Sequence, residues 1–138
     1  MKSPEEALIL AFVRPERRTR LLTLLGDAKG RSKFRASLAH FHDLDVRFAQ
    51  RVSGLRAGEI EAKLRAMGAP ERCHVLSESA ELDGQTPTLE AALEAVVGRG
   101  MGALISCIPG RLGYFESEEV GERYILERTA GPAEGRNP

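Results

Sequence analysis

The sequence predicts an α+β fold in which N-terminal helices pack with a small mixed β-sheet. Two features of the 138-residue chain support this class. Apolar residues recur at helical spacing in the N-terminal half, as Ile60, Leu64 and Met67 do, whereas residues 103–108 (ALISCI) form the continuous apolar run typical of a buried central strand. Apolar residues make up 42% of the chain and charged residues 29%, the mixture expected of an ordinary globular domain.

The N-terminal half is predicted to consist of helices. Phe34, Leu38 and Phe41 stand at the spacing of one helical face, and a Pro after a polar residue is typical of a helix start. Glycines are the usual stop signals. The predicted helices are one capped by Ser3, one from Pro15 to Leu25 stopped by Gly26, one capped by Ser32, and one over about Ala57–Met67.

The C-terminal half is predicted to contain four strands and one helix. RCHVLSE indicates a short strand, Thr86 and Pro87 begin a helix that Gly98 ends, and ALISCI, RLGYFES and ERYILER follow as strands. The element order is therefore α-α-α-α-β-α-β-β-β. Because residues 72–108 are long enough for a strand–helix–strand crossover, we expect the first two strands to be parallel and the sheet to be mixed.

These elements predict a single α+β domain over residues 1–128. Within it, residues 1–68 form a helical basic half and residues 72–128 a β-rich acidic half. Residues 129–138 (TAGPAEGRNP) lack an apolar period and are expected to be a disordered tail.

Residues 98–110 (GRGMGALISCIPG) are rich in glycine, as phosphate-binding loops are. In those loops a strand leads into the glycines and a helix follows, so that helical N–H groups meet the anion. Here the glycines follow a predicted helix and precede a strand, which reverses the order. We therefore expect a helix stop at Gly98 and a hairpin turn at Pro109-Gly110 rather than a phosphate site.

Cysteine usage and hydropathy predict a cytoplasmic protein. Cys73 and Cys107 are too few for a disulfide framework in a chain of this length and are expected to be reduced, partly buried thiols. The apolar run at residues 7–13 is too short to cross a bilayer, and Glu5 and Glu6 precede it where a signal peptide would be basic. The sequence thus predicts no membrane association.

The net charge of zero hides an asymmetry between the two halves. Residues 1–72 hold 15 Lys and Arg against nine Asp and Glu, a net of +6, and residues 73–138 carry the opposite net of −6. Such a split predicts either a face for an anionic partner or two halves that attract each other.

The basic residues concentrate between Arg14 and Arg35, where only Glu16 and Asp27 oppose them. Arginine contacts phosphate or carboxylate groups through two parallel hydrogen bonds, so this density suits an anionic partner, either a nucleic acid or an acidic protein surface. A solvated helix face is the alternative. The predicted partner-binding residues are Arg17, Arg18, Arg20, Lys29, Arg31, Lys33 and Arg35.

The segment HFHDLD supplies His40, His42, Asp43 and Asp45, which are residue types that bind zinc, manganese or iron. His40 and His42 could bind one ion only on an extended segment, because side chains two residues apart on a helix point about 200° away from each other. The alternative is a helix C-terminus where histidine interacts with the dipole and aspartate begins a turn. No cofactor is predicted apart from this candidate divalent metal.

The loop after the first predicted strand is acidic. Glu78, Glu81 and Asp83 fall in SESAELDGQ, beyond the carboxyl end of that strand, where sheets with parallel strands bind ligands. The sequence predicts that this loop suits a cation or a basic partner.

Three functions remain open at this stage. The leading one is a non-catalytic binding or regulatory protein that presents a basic helical face to an anionic partner. The second is a metal-dependent enzyme, a hydrolase, that uses the four residues of HFHDLD. The third is a protein that self-associates into a homo-oligomer through its oppositely charged faces.

Overall fold

The computed structural model describes residues 2–52, 54–119 and 121–129. They form five α-helices, five strands and two short 3-10 turns, which confirms the α+β class and the position of the helices before most of the sheet. The helices are α1 (Pro4–Phe12), α2 (Pro15–Leu25), α3 (Ala28–Ser37), α4 (Ala57–Ala66) and α5 (Leu89–Val96). The strands are β1 (Ala49–Arg51), β2 (His74–Ser77), β3 (Ala103–Ile108), β4 (Leu112–Glu116) and β5 (Arg123–Glu127).

The sheet has the strand order β1-β5-β4-β3-β2, and every pair is antiparallel, so the prediction of a mixed sheet was wrong. The reason lies between β2 and α5. Residues 84–88 run back along the outer edge of β2, where the N–H of Val75 donates to the carbonyl of Gln85. Because this segment already reverses the chain, α5 runs in the direction of β2 and β3 returns antiparallel to it.

Strand β1 was not predicted, and it places a strand within the half that was expected to be helical. It pairs with β5 in the register Gln50↔Ile125. Three residues, Ala49, Gln50 and Arg51, are too few to show an alternating pattern, so only the pairing with β5 defines this strand.

Helices cover both faces of the sheet. α1, α2 and α3 pack on one face, where Leu104 and Phe115 belong to their apolar cluster. α4 and α5 pack on the other face, where Ile105 and Tyr114 are fully buried. The alternation along each strand assigns neighbouring residues to opposite faces, as expected for a sheet buried on both sides.

The helix boundaries agree in part with those predicted from the sequence. Ser3 caps α1 by accepting a hydrogen bond from the N–H of Glu6, and α2 spans the predicted Pro15–Leu25. Gly26 is not a left-handed stop, because its φ is −75°. α3 starts at Asp27, whose carboxylate caps the N–H of Gly30, and not at Ser32.

The glycine-rich segment forms the predicted hairpin. β3 and β4 are joined by a turn at Pro109-Gly110, and Gly110 and Gly98 both adopt positive φ. Gly102 has a different role, since a Cβ atom there would overlap the backbone of Leu38. Close approach of two backbone segments therefore requires glycine at position 102.

Two sequence predictions lie wholly or partly outside the described residues. Of the predicted tail at residues 129–138, only Thr129 is among the described residues. The last predicted turn includes Val120, which is not among them. Within the described parts of the chain, no helix has the length and hydropathy needed to cross a membrane.

Candidate anion-binding site

The predicted basic residues do not share one surface. Adjacent positions on a helix point about 100° apart. Arg17 and Arg20 of α2 therefore line a groove between α2 and α3, whereas Arg18 lines a different cavity beside α1. Lys29 is exposed and lines neither of these spaces. The helical period therefore places the predicted basic residues on more than one surface.

Two of the predicted partner-binding arginines contact the acidic loop of the same chain. Arg31 donates from Nε to Oδ2 of Asp83 at 2.8 Å, and both its Nη groups donate to the carboxylate of Glu5 at 2.8 and 2.7 Å. Arg35 donates to the backbone carbonyls of Ser77 and Glu78. These contacts join α1 and α3 to the loop after β2, so the basic partner of the acidic loop is the protein's own α3.

The electrostatic effect of this network is clear at Glu5. Burial of the carboxyl opposes its ionisation, but hydrogen bonds from Arg31 and from His74 outweigh burial and lower the pKa of Glu5 from 4.5 to about 2. The Nε2 atom of His74 lies 2.7 Å from Oε2 of Glu5. Glu5 is therefore a charged acceptor that fixes α1 to both α3 and β2.

Three of the four predicted metal ligands, His40, His42 and Asp43, line one groove, and Asp45 does not line it. Asp43 accepts hydrogen bonds from Arg14 at 2.7 Å and from Arg17 at 3.1 Å, and Asp45 is bound by Arg47 at 2.7 Å. Among the residues that the structure describes, no group of three or more His, Cys, Asp or Glu side chains could hold a metal ion. Arginine guanidinium groups are hydrogen-bonded to both carboxylates of this set.

Both aspartates are held in the ionised form. Burial of Asp43 raises its pKa, but the hydrogen bonds from Arg14 and Arg17 lower it by more, and the net shift is downward. Hydrogen bonding from Arg47 is the main cause of the lowered pKa of Asp45. Asp43 and Asp45 are therefore charged acceptors for the guanidinium groups of Arg14, Arg17 and Arg47.

The two histidines contact acidic residues of the β4–β5 connection. His40 Nδ1 lies 3.5 Å from Oε2 of Glu119, and His40 Nε2 lies 3.6 Å from Glu118. His42 Nε2 lies 3.8 Å from the same oxygen of Glu119. His40 ends the 3-10 turn at Leu38–His40, and His42 lies two residues beyond it. Both imidazoles are exposed.

The groove between α2 and α3 brings together part of each predicted set. It has a volume of about 290 Å³ and is lined by cationic and imidazole side chains over an apolar base of Leu21, Leu24 and Phe41. The polar side chains that line it are Arg17, Arg20, Lys33, Ser37, His40, His42 and Asp43. We refer to this space as the α2–α3 groove.

Arg20 and Lys33 are the uncommitted cations of the α2–α3 groove. Neither side chain forms a hydrogen bond or an ion pair with any residue in the described ranges, and both are exposed. Among the described residues that line the groove, Asp43 alone has a carboxylate, and Arg14 and Arg17 already neutralise it. Glu118 and Glu119 contact the lining imidazoles of His40 and His42. The groove therefore has positive charge available for an external anion.

The base of the groove is packed against the sheet. Phe41 packs edge-on against Phe34 at a centroid distance of 6.2 Å and against Phe115 of β4 at 5.7 Å. These rings belong to the apolar cluster between the sheet and α1–α3. The sheet thus supports the position from which His40 and His42 project.

The glycine segment does bind anionic groups, although they belong to the chain itself. The N–H of Gly98 donates to Oε2 of Glu116 at 2.8 Å, and the N–H of Gly102 donates to Oε2 of Glu78. Glu116 is buried and also accepts a hydrogen bond from the hydroxyl of Tyr114 at 2.7 Å. The N–H groups of Gly98 and Gly102 are therefore occupied by carboxylates of the chain.

A larger cleft of about 780 Å³, which was not predicted, lies between the start of α4 and the end of α5. Three arginines line it, but Glu59 and Glu94 line it as well, so its charges are mixed. Arg123 is already engaged, because it donates to the carbonyl of Leu55 and lies 3.4 Å from Glu116. The α2–α3 groove has the clearer excess of available cations.

The two cysteines are buried, free thiols, as predicted. Burial raises the pKa of Cys73 to about 11, and burial together with the neighbouring Cys73 raises that of Cys107 to about 12. Since the thiolate is the reactive form, both thiols are expected to react slowly.

Comparison of the chain with protein-family models finds no matching family, and neither curated proteins nor solved structures give a match. The function is therefore argued from the geometry of the described residues.

Proposed function

We propose that the protein is a non-catalytic binding domain that holds an anionic group of a partner in the α2–α3 groove. The observation that carries this proposal is the pair Arg20 and Lys33, which line one groove and have no carboxylate partner in the described ranges. Other arginines of the basic segment, such as Arg31, are bound by carboxylates of the chain.

The groove matches a phosphate or carboxylate group in chemistry. A guanidinium offers a planar pair of donors and an ammonium offers a compact charge, and both bind oxyanions. Arg17 adds a third cation whose Nε is directed to Asp43. Its remaining donors, with those of Arg20 and Lys33, are sufficient for one oxyanion group.

An acidic protein segment fits the groove better than a nucleic acid does. A nucleic-acid surface needs several spaced cations and, for single strands, exposed aromatic rings on which bases stack. The aromatic residue of this groove, Phe41, is buried beneath it, and only three cations line the space. We therefore favour a glutamate- or aspartate-rich segment as the partner.

The proposal is tested by measuring the affinity of a fluorescent oligoglutamate peptide by anisotropy at low and high salt. Lys33→Glu and Arg20→Glu should each weaken binding about tenfold or more, because a reversed charge repels the peptide. Lys63→Glu is the matched control, since Lys63 is an exposed lysine of α4, on the other face of the sheet. Added salt should weaken binding to the unmodified protein.

Two results would contradict this function. One is the absence of peptide binding at low salt, and the other is binding that Lys33→Glu and Arg20→Glu leave unchanged. A single-stranded oligonucleotide serves as the second probe. If it binds through Arg20 and Lys33 while the peptide does not, the acidic protein partner is excluded and a nucleic acid takes its place.

Ion pairs within one chain already use part of the charge that would drive self-association through the two charged halves. Arg31 and Arg35 meet Asp83 within one chain, and Arg51 meets Glu122 at 2.9 Å. The charge split is thus partly neutralised inside the molecule. A homo-oligomer remains a prediction that sedimentation at several salt concentrations would test.

A further inference from the structure

A second cationic cavity lies beside the β3–β4 turn. It has a volume of about 370 Å³ and is bordered by the last two turns of α1 and by Pro109-Gly110. Ala7 and Leu10 of α1 provide an apolar wall. We refer to this space as the turn cavity; the cationic side chains that line it are Lys2, Arg18, Arg111 and Arg128.

Two of these arginines are held in place by the end of α1. The last turn of α1 contains no basic residue of its own. Instead, Arg18 donates from Nε to the carbonyl of Val13 at 2.9 Å, and Arg128 donates from Nη1 to the carbonyl of Ala11 at 3.1 Å. Cations at a helix C-terminus are stabilised by the helix dipole, so these contacts fix both guanidinium groups.

Arg128 is fixed further by an aromatic ring. Its guanidinium lies 4.5 Å from the centroid of Phe48, a cation–π contact. Each guanidinium has five N–H donors. Arg18 and Arg128 use one each for hydrogen bonds within the described residues, which leaves the other donors of both side chains for a ligand.

The charged side chains that the structure describes around the turn cavity are all cationic. Lys2 and Arg111 form no side-chain hydrogen bond or ion pair with residues in the described ranges, and the lining includes no Asp or Glu. Asp45, whose charge also reaches Arg18, is bound by Arg47, and Glu127 lines an adjoining cavity. Four cations thus surround a small space without internal compensation.

We propose that the turn cavity binds a small organic anion, a molecule with one phosphate or carboxylate group and a compact apolar portion. The oxyanion lies among the guanidinium groups of Arg18, Arg128 and Arg111, and the apolar portion lies against Ala7 and Leu10. The volume falls in the lower part of the range of small-molecule sites. Fixed arginines favour binding because less side-chain freedom is lost.

This site is independent of the α2–α3 groove. Arg18 and Arg17 are neighbours in sequence, but they project about 100° apart on α2 and line different spaces. Lys33 and Arg20 do not line the turn cavity, and Arg111 does not line the groove. Substitutions can therefore remove one site and leave the other.

The test is calorimetric titration of the full chain with phenyl phosphate, benzoate and inorganic phosphate. We expect saturable binding of phenyl phosphate, and Arg111→Gln should weaken it about tenfold, the effect of losing a charged hydrogen bond. Arg111→Lys should retain most of the affinity. Lys63→Gln on α4 should bind phenyl phosphate like the unmodified protein. Binding that Lys33→Glu removes and Arg111→Gln leaves unchanged would place the ligand in the α2–α3 groove and overturn the turn-cavity site.

The choice of probes distinguishes the ligand class. Tighter binding of phenyl phosphate than of benzoate assigns a phosphate ligand, and the reverse order assigns a carboxylate. Equal binding of inorganic phosphate and phenyl phosphate would overturn the role of the apolar wall. Failure of all three probes to bind saturably, or binding that Arg111→Gln leaves unchanged, would overturn the site itself.

Thermal unfolding of the same variants shows whether they are folded. Arg111 enters the described hydrogen bonds through its backbone alone: its N–H donates to the carbonyl of Ile108, and its carbonyl accepts from the N–H of Arg128. A change of its side chain should therefore leave the thermal unfolding midpoint nearly unchanged. Loss of ligand binding with an unchanged midpoint identifies a binding role rather than a structural one.

Discussion

Arg31 Nε donates to Oδ2 of Asp83 at 2.8 Å across 52 positions of sequence. The same guanidinium holds Glu5 with two further hydrogen bonds, and Asp83 accepts the N–H of Ser77 through its other oxygen. One side chain of α3 thereby joins α1 to the end of β2. In this region, ion pairs between the basic and acidic halves of the sequence pack the N-terminal helices on the sheet.

Replacing Arg31 with Gln should destabilise the fold by about 2–3 kcal/mol, because two carboxylates in a partly buried site lose their counter-charge. The side chains of Arg31, Glu5 and Asp83 are 26%, 18% and 8% exposed, so solvent screens the loss only in part. Urea unfolding followed by circular dichroism measures the change.

The control for Arg31→Gln is Arg65→Gln. Arg65 forms an exposed pair with Glu61 one turn earlier on α4, and such pairs contribute little. Equal stability losses in the two variants would show that the Arg31 network has no special role.

Glu5 should make the stability dependent on acid pH. Its pKa is about 2 in the folded protein against 4.5 ordinarily, so its contribution is complete above about pH 4.5. The contribution is lost as the pH falls from about 4.5 to about 2, and it amounts to about 3 kcal/mol at most. Urea midpoints across this range should decline more steeply for the unmodified protein than for Glu5→Gln. Parallel curves would contradict the lowered pKa.

Gly30 should not tolerate a side chain. A Cβ atom at this position would overlap the backbone of Leu24, where α3 crosses α2. Gly30→Ala should therefore destabilise the protein by about 2 kcal/mol or more, since two backbones must separate.

Gly58 provides the matched comparison for Gly30. It lies in α4, and a Cβ atom there would have no neighbour within 4 Å. Gly58→Ala should stabilise the fold by up to about 1 kcal/mol through the lower chain entropy of alanine in the unfolded state. Thermal unfolding of both variants measures the contrast, and a shift in the same direction for both would contradict the packing at Gly30.

Cys73 and Cys107 should react slowly with Ellman's reagent in the folded protein. Burial raises their pKa values to about 11 and about 12, so the thiolate fraction is small at mildly alkaline pH. Both should react rapidly in guanidinium chloride. Fast reaction of either thiol under native conditions would mean that it is more accessible than the structure shows.

Local signals in the sequence were sufficient for several elements. Pro15 and the apolar spacing of α2 defined its exact range, and the Pro109-Gly110 pair defined the hairpin. Strand direction could not be obtained in this way. It depends on residues 84–88, whose hydrogen bonds to β2 reverse the chain before α5 begins, and those bonds have no signature in composition.

The candidate site was predictable by residue type but not by pairing. The density of Arg and Lys between residues 14 and 35 indicated positive charge, and the helical period could have separated Arg17 from Arg18. The acceptors of Arg31 and of Arg17 could not be identified, because Asp83 and Asp43 are distant in sequence. Lys33 and Arg20 remain available only because no carboxylate in the described ranges folds against them.

The most direct measurement is an amide NMR titration of the ¹⁵N-labelled protein with an unlabelled oligoglutamate peptide. The groove hypothesis predicts that the largest shift changes cluster at Arg20, Lys33, His40 and His42, and that Lys33→Glu abolishes them. Shift changes confined to other surfaces, or no changes at low salt, would contradict binding of an anionic partner in the α2–α3 groove.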